Sequence, residues 1–464
     1  MTNDFNGQRI LILGAGVTGV AAARALRKRG AIVELADDRL SEIPDFKVAT
    51  PDKFQVSQWN YLLVSPGWKA DHPLLQQASK ASIPVLNEID LAWKFRCEEH
   101  PAQKWLALTG TNGKTTTVEM AASMIRSAGF NAIACGNVGD TVIDCVDAAI
   151  AYDFLILELS SFQLHWLHDA QFHAVAILNI ADDHIDWHGS FDAYAQAKIS
   201  ILERTDMAIL NAQDQEVVSR ISHWLGRKVF YSLDTPAPGE MGLVESLLID
   251  RAFVSDPQEA ALIAELADIN PPVPHNVSNA LAAAGLALSI GASHESIRKA
   301  LVSFELGRHR IEKIYEADGI SWIDDSKATN PHAAQASLMS ALSVVWIAGG
   351  LAKGAKMAPL IARTKGRIKA AILIGHDREL ISAQIREQAP GIKIILIDEP
   401  DGYGIDSSDN FLMERVVEAC KALAISGDTV LLAPACASMD QFVSYADRGD
   451  RFKAAVEKIV AHGN

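Results

Sequence analysis

The chain has 464 residues, 49% of them apolar, and a formal net charge of −15. This length suits two to four domains with real cores. The acidic balance argues against a general binder of nucleic acid or of anionic membranes, so any anionic substrate must be met by particular cations or metals. The five cysteines, Cys97, Cys135, Cys145, Cys420 and Cys436, form no C-x-x-C pair, which fits a reducing compartment without a disulfide framework. The opening MTNDFNGQRI has neither the basic start nor the apolar run of a signal peptide, and no apolar run is long enough for a bilayer. A cytoplasmic protein without membrane insertion is the expectation.

The stretch ILILGAGVTGVAAARAL, Ile10 to Leu26, reads as a strand, a glycine turn and a helix. Gly14, Gly16 and Gly19 fit G-x-G-x-x-G, with Val17 and Thr18 inside it. Such a turn offers backbone N–H groups to a diphosphate at a helix start. Taken alone it favours NAD, and hence an oxidoreductase, but a lone fingerprint is a weak signal. Asp37 and Asp38 follow the second strand, AIVELADD, where acids mark the nucleoside edge.

Further apolar runs follow at Tyr61–Val64, Trp105–Leu108, Phe154–Leu157, Val175–Leu178, Val344–Ile347, Ala371–Ile374 and Thr429–Leu432. Helical stretches separate them. Continuous runs alternating with helices imply parallel sheets covered on both faces. Polar seams at RCEEHPAQK (Arg96–Lys104) and SFELGRHR divide the chain into three α/β domains, 1–100, 101–306 and 307–464. Between Ser232 and Pro274 the pattern is irregular, and loops with short strands are expected.

At WLALTGTNGKTTTVEM a strand ends at Leu108, a turn follows and a helix begins near Lys114. The loop Gly110, Thr111, Asn112, Gly113, Lys114, Thr115, Thr116 lacks the first glycine of the common Walker spacing, because Leu108 stands there. Its context still favours a phosphate site, with Lys114 for the β- and γ-phosphates and the Thr115 hydroxyl for Mg²⁺. Glu158 follows an apolar strand where an acid reaches the nucleotide metal. ADDH then supplies Asp182, Asp183 and His184 at another strand end.

In SFDAYAQAKISIL, Phe191, Tyr194, Ala195, Lys198 and Ile201 share one helical face. A lysine on such a stripe either snorkels to solvent or is desolvated and depressed in pKa. A neutral amine can take up CO₂ as a carbamate, an anionic ligand for Mg²⁺.

TGTNGKTTT, LELSSFQL, ADDHID, AYAQAK, HNVSNALAAAG and GRHRIE together resemble the Mur ligases, the ATP-dependent amino-acid ligases of peptidoglycan synthesis. DDSKATNP, GGLAKGA and PACASMDQF resemble the glutamate-adding branch, and the likeness covers nearly the whole chain in order. It implies a Rossmann-like first domain for the UDP-substrate, a P-loop ATPase-like middle domain and a Rossmann-like third domain for the amino acid. It implies ATP, two Mg²⁺ ions, UDP-N-acetylmuramoyl-L-alanine and D-glutamate as cofactors and substrates, and a monomer.

By resemblance, Lys114, His184, Lys198 and Arg310 are catalytic. Thr115, Glu158, His184 and carbamylated Lys198 hold metal, and Asn276, Asn279, Arg310 and Asp325 contact ATP. The fingerprint glycines with Asp37, Asp38, Asn137 and Ser160 bind the UDP-substrate. Thr329, Lys353, Ser438 and Tyr445 receive glutamate, the last often a phenylalanine in the family, and His309 stands beside Arg310. His184 as a general base for the amine is a second reading. Another muramyl amino-acid ligase and a non-catalytic P-loop switch are the remaining alternatives.

Overall fold

In the computed structural model, which describes residues 5–39, 42–256, 258–398 and 410–461, the apolar runs become strands of three sheets. Tyr61–Val64 and Thr429–Leu432 are strands end to end, and Trp105–Leu108 lies within the strand Lys104–Thr109. Contacts divide the chain into two compact units: Met1–Ile180 with Trp187–Phe304, and Ala181–Asp186 with Glu305–Asn464. The first unit holds two of the sheets. Residues 96–99 of the Arg96–Lys104 seam form the last turn of the helix Glu88–Glu99, and the next strand begins at Lys104.

The first sheet is parallel. Its central strand Arg9–Leu13 lies between Ile32–Ala36 and Tyr61–Val64. Leu11, Leu13, Leu62 and Val64 pack there with Trp59, Leu74 and Leu75. Helix Val17–Lys28 begins at the fingerprint, and its Gly19 is dictated by packing: a Cβ there would stand 1.9 Å from the Gly14 carbonyl oxygen.

The second sheet has nine strands. Lys104–Thr109 pairs in parallel with Phe154–Glu158 on one side and Ala174–Ile177 on the other. Leu108 is opposite Glu158 and Thr109 opposite Ile177, so the phosphate loop, Glu158 and Asn179 all leave one sheet edge. Strand carboxyl ends are where open α/β sheets bind ligands. Helix Lys114–Ser127 and helix Pro274–Ser289 cover this sheet through Val118, Ala121, Ile125, Ala280, Leu281 and Ala284. The irregular stretch after Ser232 adds three strands to the array: Glu240–Val244, parallel to Arg227–Tyr231, then Leu247–Asp250 antiparallel to it, and Ala261–Glu265 antiparallel to that and at the sheet's edge.

The second unit's sheet runs Glu312–Ala317, Ile320–Asp324, Thr429–Leu432, Val344–Gly349, Ile368–Ile374, Lys393–Leu396. The first pair is antiparallel and the rest parallel. One face packs on Val417, Phe442 and Phe452 and the other on Leu338, Leu360 and Ile381. Both faces are therefore covered, as continuous apolar runs require.

Candidate active site

The fingerprint turn is built as a diphosphate reader needs. Gly14 has a φ of +103°, and helix Val17–Lys28 starts without a side-chain cap at Gly16. Asp37 braces the turn: its carboxylate accepts the Ala15 N–H at 2.8 Å and the Arg39 N–H at 2.8 Å. Asp37 and Asp38 line a cleft of about 700 Å³, with Arg39, Ser65, Trp68, Lys69 and His72 among its other walls. Gly16 and Val17 are exposed, Thr18 half-buried. Among the described residues, no atom beyond Gly16 and its chain neighbours lies within 4 Å of where a Cβ would stand on it.

In the second sheet the phosphate loop is held from below. Asn112 N–H donates to Asn179 Oδ1 at 2.8 Å, and Asn179 Nδ2 donates back to the Asn112 carbonyl at 3.0 Å. Thr111 N–H donates to the Asn179 carbonyl at 2.9 Å, and Thr111 Oγ1 pairs with the Tyr194 hydroxyl at 2.8 Å. Gly113 caps helix Lys114–Ser127 at φ +83°, and a Cβ there would stand 2.4 Å from Asn279 Oδ1. Asn279, assigned to ATP by resemblance, therefore packs directly on the loop. Asn276 is buried, and its Nδ2 donates to the Pro271 carbonyl at 3.1 Å. Lys114 Nζ donates to the Gly110 and Thr111 carbonyls, both at 3.0 Å. Thr115 is half-buried in the helix's first turn and Thr116 is buried.

Lys198 does not snorkel. It is 1% exposed, its Nζ donates to the Gly110 carbonyl at 2.8 Å, and it lies 4.8 Å from the Tyr194 ring centre. Glu158 is likewise 1% exposed. Its Oε1 accepts from Asn137 Nδ2 at 2.9 Å, while Oε2 is buried without a hydrogen-bond partner among the described residues. A buried carboxylate oxygen left unpaired is costly, and a cation satisfies it. A carboxylate oxygen of this kind suits Mg²⁺. Ser160 has a structural occupation: it caps helix Ser161–Trp166 in a reciprocal box with Gln163.

The segment carrying His184 groups with the second unit. His184 takes φ +53°, and its N–H donates to Asp183 Oδ1 at 3.0 Å. In that unit His309 is buried, with Nδ1 at 2.6 Å from Asp324 Oδ2, and this bond holds the imidazole's affinity for its proton up against burial. Glu312 Oε2 accepts the His309 N–H at 3.0 Å. His309, Glu312 and Asp324 form the one cluster with metal-ligand proximity among the described residues, and these bonds already hold it together. Asp325 is buried, which pushes its carboxyl up to about 6 despite the Ser337 hydroxyl. Arg310 is half-buried in the adjoining loop.

Thr329 is half-buried, Lys353 is exposed at φ +50°, and Ser438 is buried. Tyr445 opens helix Tyr445–Val456, with Lys327 Nζ 3.9 Å from its ring centre. Arg448, on the same helix, is fully buried and binds Ser326 and the Cys436 carbonyl. Sequence reasoning overlooked Arg448, Asn179 and the cleft residues Ser65, Trp68, Lys69 and His72. Asn179 alone had a readable signal, as the first polar residue after the run Val175–Leu178.

Among known proteins, residues 8–87 match the Mur ligase MurD-like N-terminal domain, 108–287 the Mur ligase middle domain and 309–436 the Mur ligase glutamate ligase domain. The UDP-N-acetylmuramoylalanine–D-glutamate ligase of Streptomyces coelicolor is 42% identical, covering 99% of this chain and 100% of its own. That of Thermobifida fusca is 43% identical over 98% and 99%. Among solved structures, a pseudomurein peptide ligase type C from Methanothermus fervidus superposes with a TM-score of 0.61 at 19% identity, covering 98% and 100% of the two chains. UDP-N-acetylmuramate-alanine ligase MurC from Thermotoga maritima gives 0.57 at 16% identity over 97% and 99%. At these identities the structural likeness is one of fold.

Proposed function

The chain belongs to the Mur ligase family, and on that premise we propose that it joins D-glutamate to UDP-N-acetylmuramoyl-L-alanine while ATP becomes ADP and phosphate. The observation that carries the reading is the convergence of Lys114 and Lys198 on the Gly110 carbonyl, on the sheet edge that Glu158 also leaves. A phosphate loop with an inward second lysine and an acid that keeps one oxygen unbonded is equipped for phosphoryl transfer to an anion. A nicotinamide site has no use for it.

The muramoyl-alanine carboxylate attacks the γ-phosphorus; an O–P bond forms and the bond to ADP breaks. The glutamate amine then attacks the acyl carbon; a C–N bond forms, phosphate leaves, and the amine loses a proton. Bringing a carboxylate against a triphosphate costs on the order of several kcal/mol at 4 Å in a medium of dielectric near 20. Lys114 and Arg310 offset that repulsion and hold the γ-phosphate in line. Thr115, Glu158, His184 and Lys198 as its carbamate would hold Mg²⁺, two ions in this reading, which neutralises phosphate charge when bound. Asn276, Asn279 and Asp325 serve the nucleoside of ATP, and His184 acts as ligand rather than base.

The fingerprint cleft takes the UDP end, with Asp37 and Asp38 at the uridine side and Asn137 and Ser160 toward the muramoyl end. Thr329, Lys353, Ser438 and Tyr445 take the two carboxylates of glutamate. The three domains 1–100, 101–306 and 307–464 each bring one sheet, and the enzyme works as a cytoplasmic monomer. Phosphate release with UDP-N-acetylmuramoyl-L-alanine and a panel of amino acids tests the reading. Activity with D-glutamate alone is expected; preference for another amino acid would assign a different muramyl ligase, and none at all would sink both.

A further inference from the structure

One wall of the 700 Å³ cleft lies outside the fingerprint. Ser65–Lys69 leaves the strand Tyr61–Val64, with Ser65 N–H donating to the Leu13 carbonyl at 2.9 Å, Ser65 Oγ to the Gly14 carbonyl at 3.5 Å, Trp68 N–H to the Ser65 carbonyl at 3.2 Å and His72 N–H to the Lys69 carbonyl at 3.1 Å. The Gly67 and Trp68 carbonyls are satisfied from further along the chain. Trp187 Nε1 donates to the Gly67 carbonyl at 3.1 Å, and Trp166 Nε1 donates to the Trp68 carbonyl at 3.2 Å. An indole has one donor and a broad apolar body, so it fixes a carbonyl's place once its ring is packed.

Both rings are packed. Trp166 lies against the first sheet's core, and its own carbonyl accepts from Asn87 Nδ2 at 2.5 Å. Trp187 meets Phe162 at 4.9 Å and His165 at 5.1 Å between ring centres. The loop they hold leans on the fingerprint, since Trp68 Nε1 is 3.2 Å from where a Cβ would stand on Gly14.

We propose that Trp166 and Trp187 form an indole clasp that positions the Gly67–Trp68 wall for the nucleotide-sugar substrate. They touch the substrate only through that backbone, so they are positioning residues. The proposal rests on assigning this cleft to the UDP end. Its consequence is selective: loosening the clasp weakens one substrate of three and leaves the chemical step alone.

The full-length variants W187F and W166F keep an aromatic ring and lose the donor. Hydrogen–deuterium exchange over residues 65–72 should quicken in each. The KM for UDP-N-acetylmuramoyl-L-alanine should rise about three- to ten-fold, the worth of one neutral hydrogen bond. The KM values for ATP and glutamate, and kcat, should stay within about two-fold. Unchanged exchange overturns the clasp; so does quicker exchange with an unchanged KM, or a fall in kcat alone. Should the wild type not turn over this substrate, the function above fails. UDP itself then tests the clasp: it should slow exchange at 65–72 in the wild type and less in W187F, and equal slowing or none in the wild type overturns it.

Discussion

Lys198 and Lys114 share one acceptor: the Gly110 carbonyl takes a 2.8 Å bond from the first Nζ and a 3.0 Å bond from the second. Two lysine side chains thus meet at one carbonyl, and that of Lys198 is closed to solvent. The neutral amine is the form that adds CO₂, giving a carbamate and releasing a proton. Lys198→Ala should lower turnover by about a hundred-fold or more, and a short carboxylic acid such as formate should restore part of it by replacing the missing anion. Labelled CO₂ should give a carbamate carbon signal in the wild type that the variant lacks. Full turnover by the variant would remove Lys198 from the mechanism.

Asn179 is the brace of the phosphate loop, with its side chain bonded to both the N–H and the carbonyl of Asn112. Asn179→Ala leaves those two groups to find water in a half-buried place. A loss of about 1–3 kcal/mol in stability is expected, with a KM for ATP raised roughly ten-fold. Thermal unfolding and an ATP titration check the two together. A lower melting temperature with an unchanged KM would make Asn179 a residue of the fold only.

The parts legible in the sequence are those with a period or a long apolar run. Val344–Ile347 and Phe154–Leu157 read as buried strands because both faces are covered. Lys198 stands out because its helical face is otherwise apolar, and its burial rules out the reading in which it snorkels to solvent. Leu247–Asp250 and Ala261–Glu265 are foreseen only as short strands without bounds between Ser232 and Pro274, since short strands with exposed residues read much like loops. Asn179 and Arg448 were overlooked because one polar residue at a strand end or in a helix carries no pattern until its partners are known. Ser160 shows the reverse: a residue expected at the substrate is also the cap that starts a helix.

Glu88 sits fully inside the first unit, where burial pushes its carboxyl up to about 7; the Ile143 and Val142 N–H groups only partly oppose this. The unfolded chain ionises it near the ordinary value of 4.5. Between those values the native protein holds a proton that the unfolded chain has released. The stability this contributes is present below the unfolded value and is lost as pH rises through about 7. Glu88→Gln keeps the acceptor for Ile143 and removes the charge. It should gain on the wild type by roughly 2.5 kcal/mol between pH 5 and pH 8. Denaturant unfolding at the two pH values measures the gap; one that does not widen with pH would show that Glu88 ionises as freely in the fold as out of it.

Arg448 spends its guanidinium on two loops. Nε and Nη2 donate to Ser326 Oγ and to the Ser326 carbonyl, each at 2.9 Å, and Nη1 donates to the Cys436 carbonyl at 3.2 Å. Ser326 stands three residues before Thr329, and Cys436 two before Ser438, so the fork spans both loops assigned to glutamate. Burial pushes the guanidinium down to about 10, which leaves it charged at neutral pH. A lysine is a point donor on a flexible stem and cannot make three divergent bonds from one plane. Arg448→Lys should therefore cost roughly 2–4 kcal/mol of stability. The KM for D-glutamate should rise about ten-fold while that for UDP-N-acetylmuramoyl-L-alanine holds. Equal rises in both constants would mean that the whole fold has loosened; a glutamate-selective rise is the signature of a spacer between the two loops.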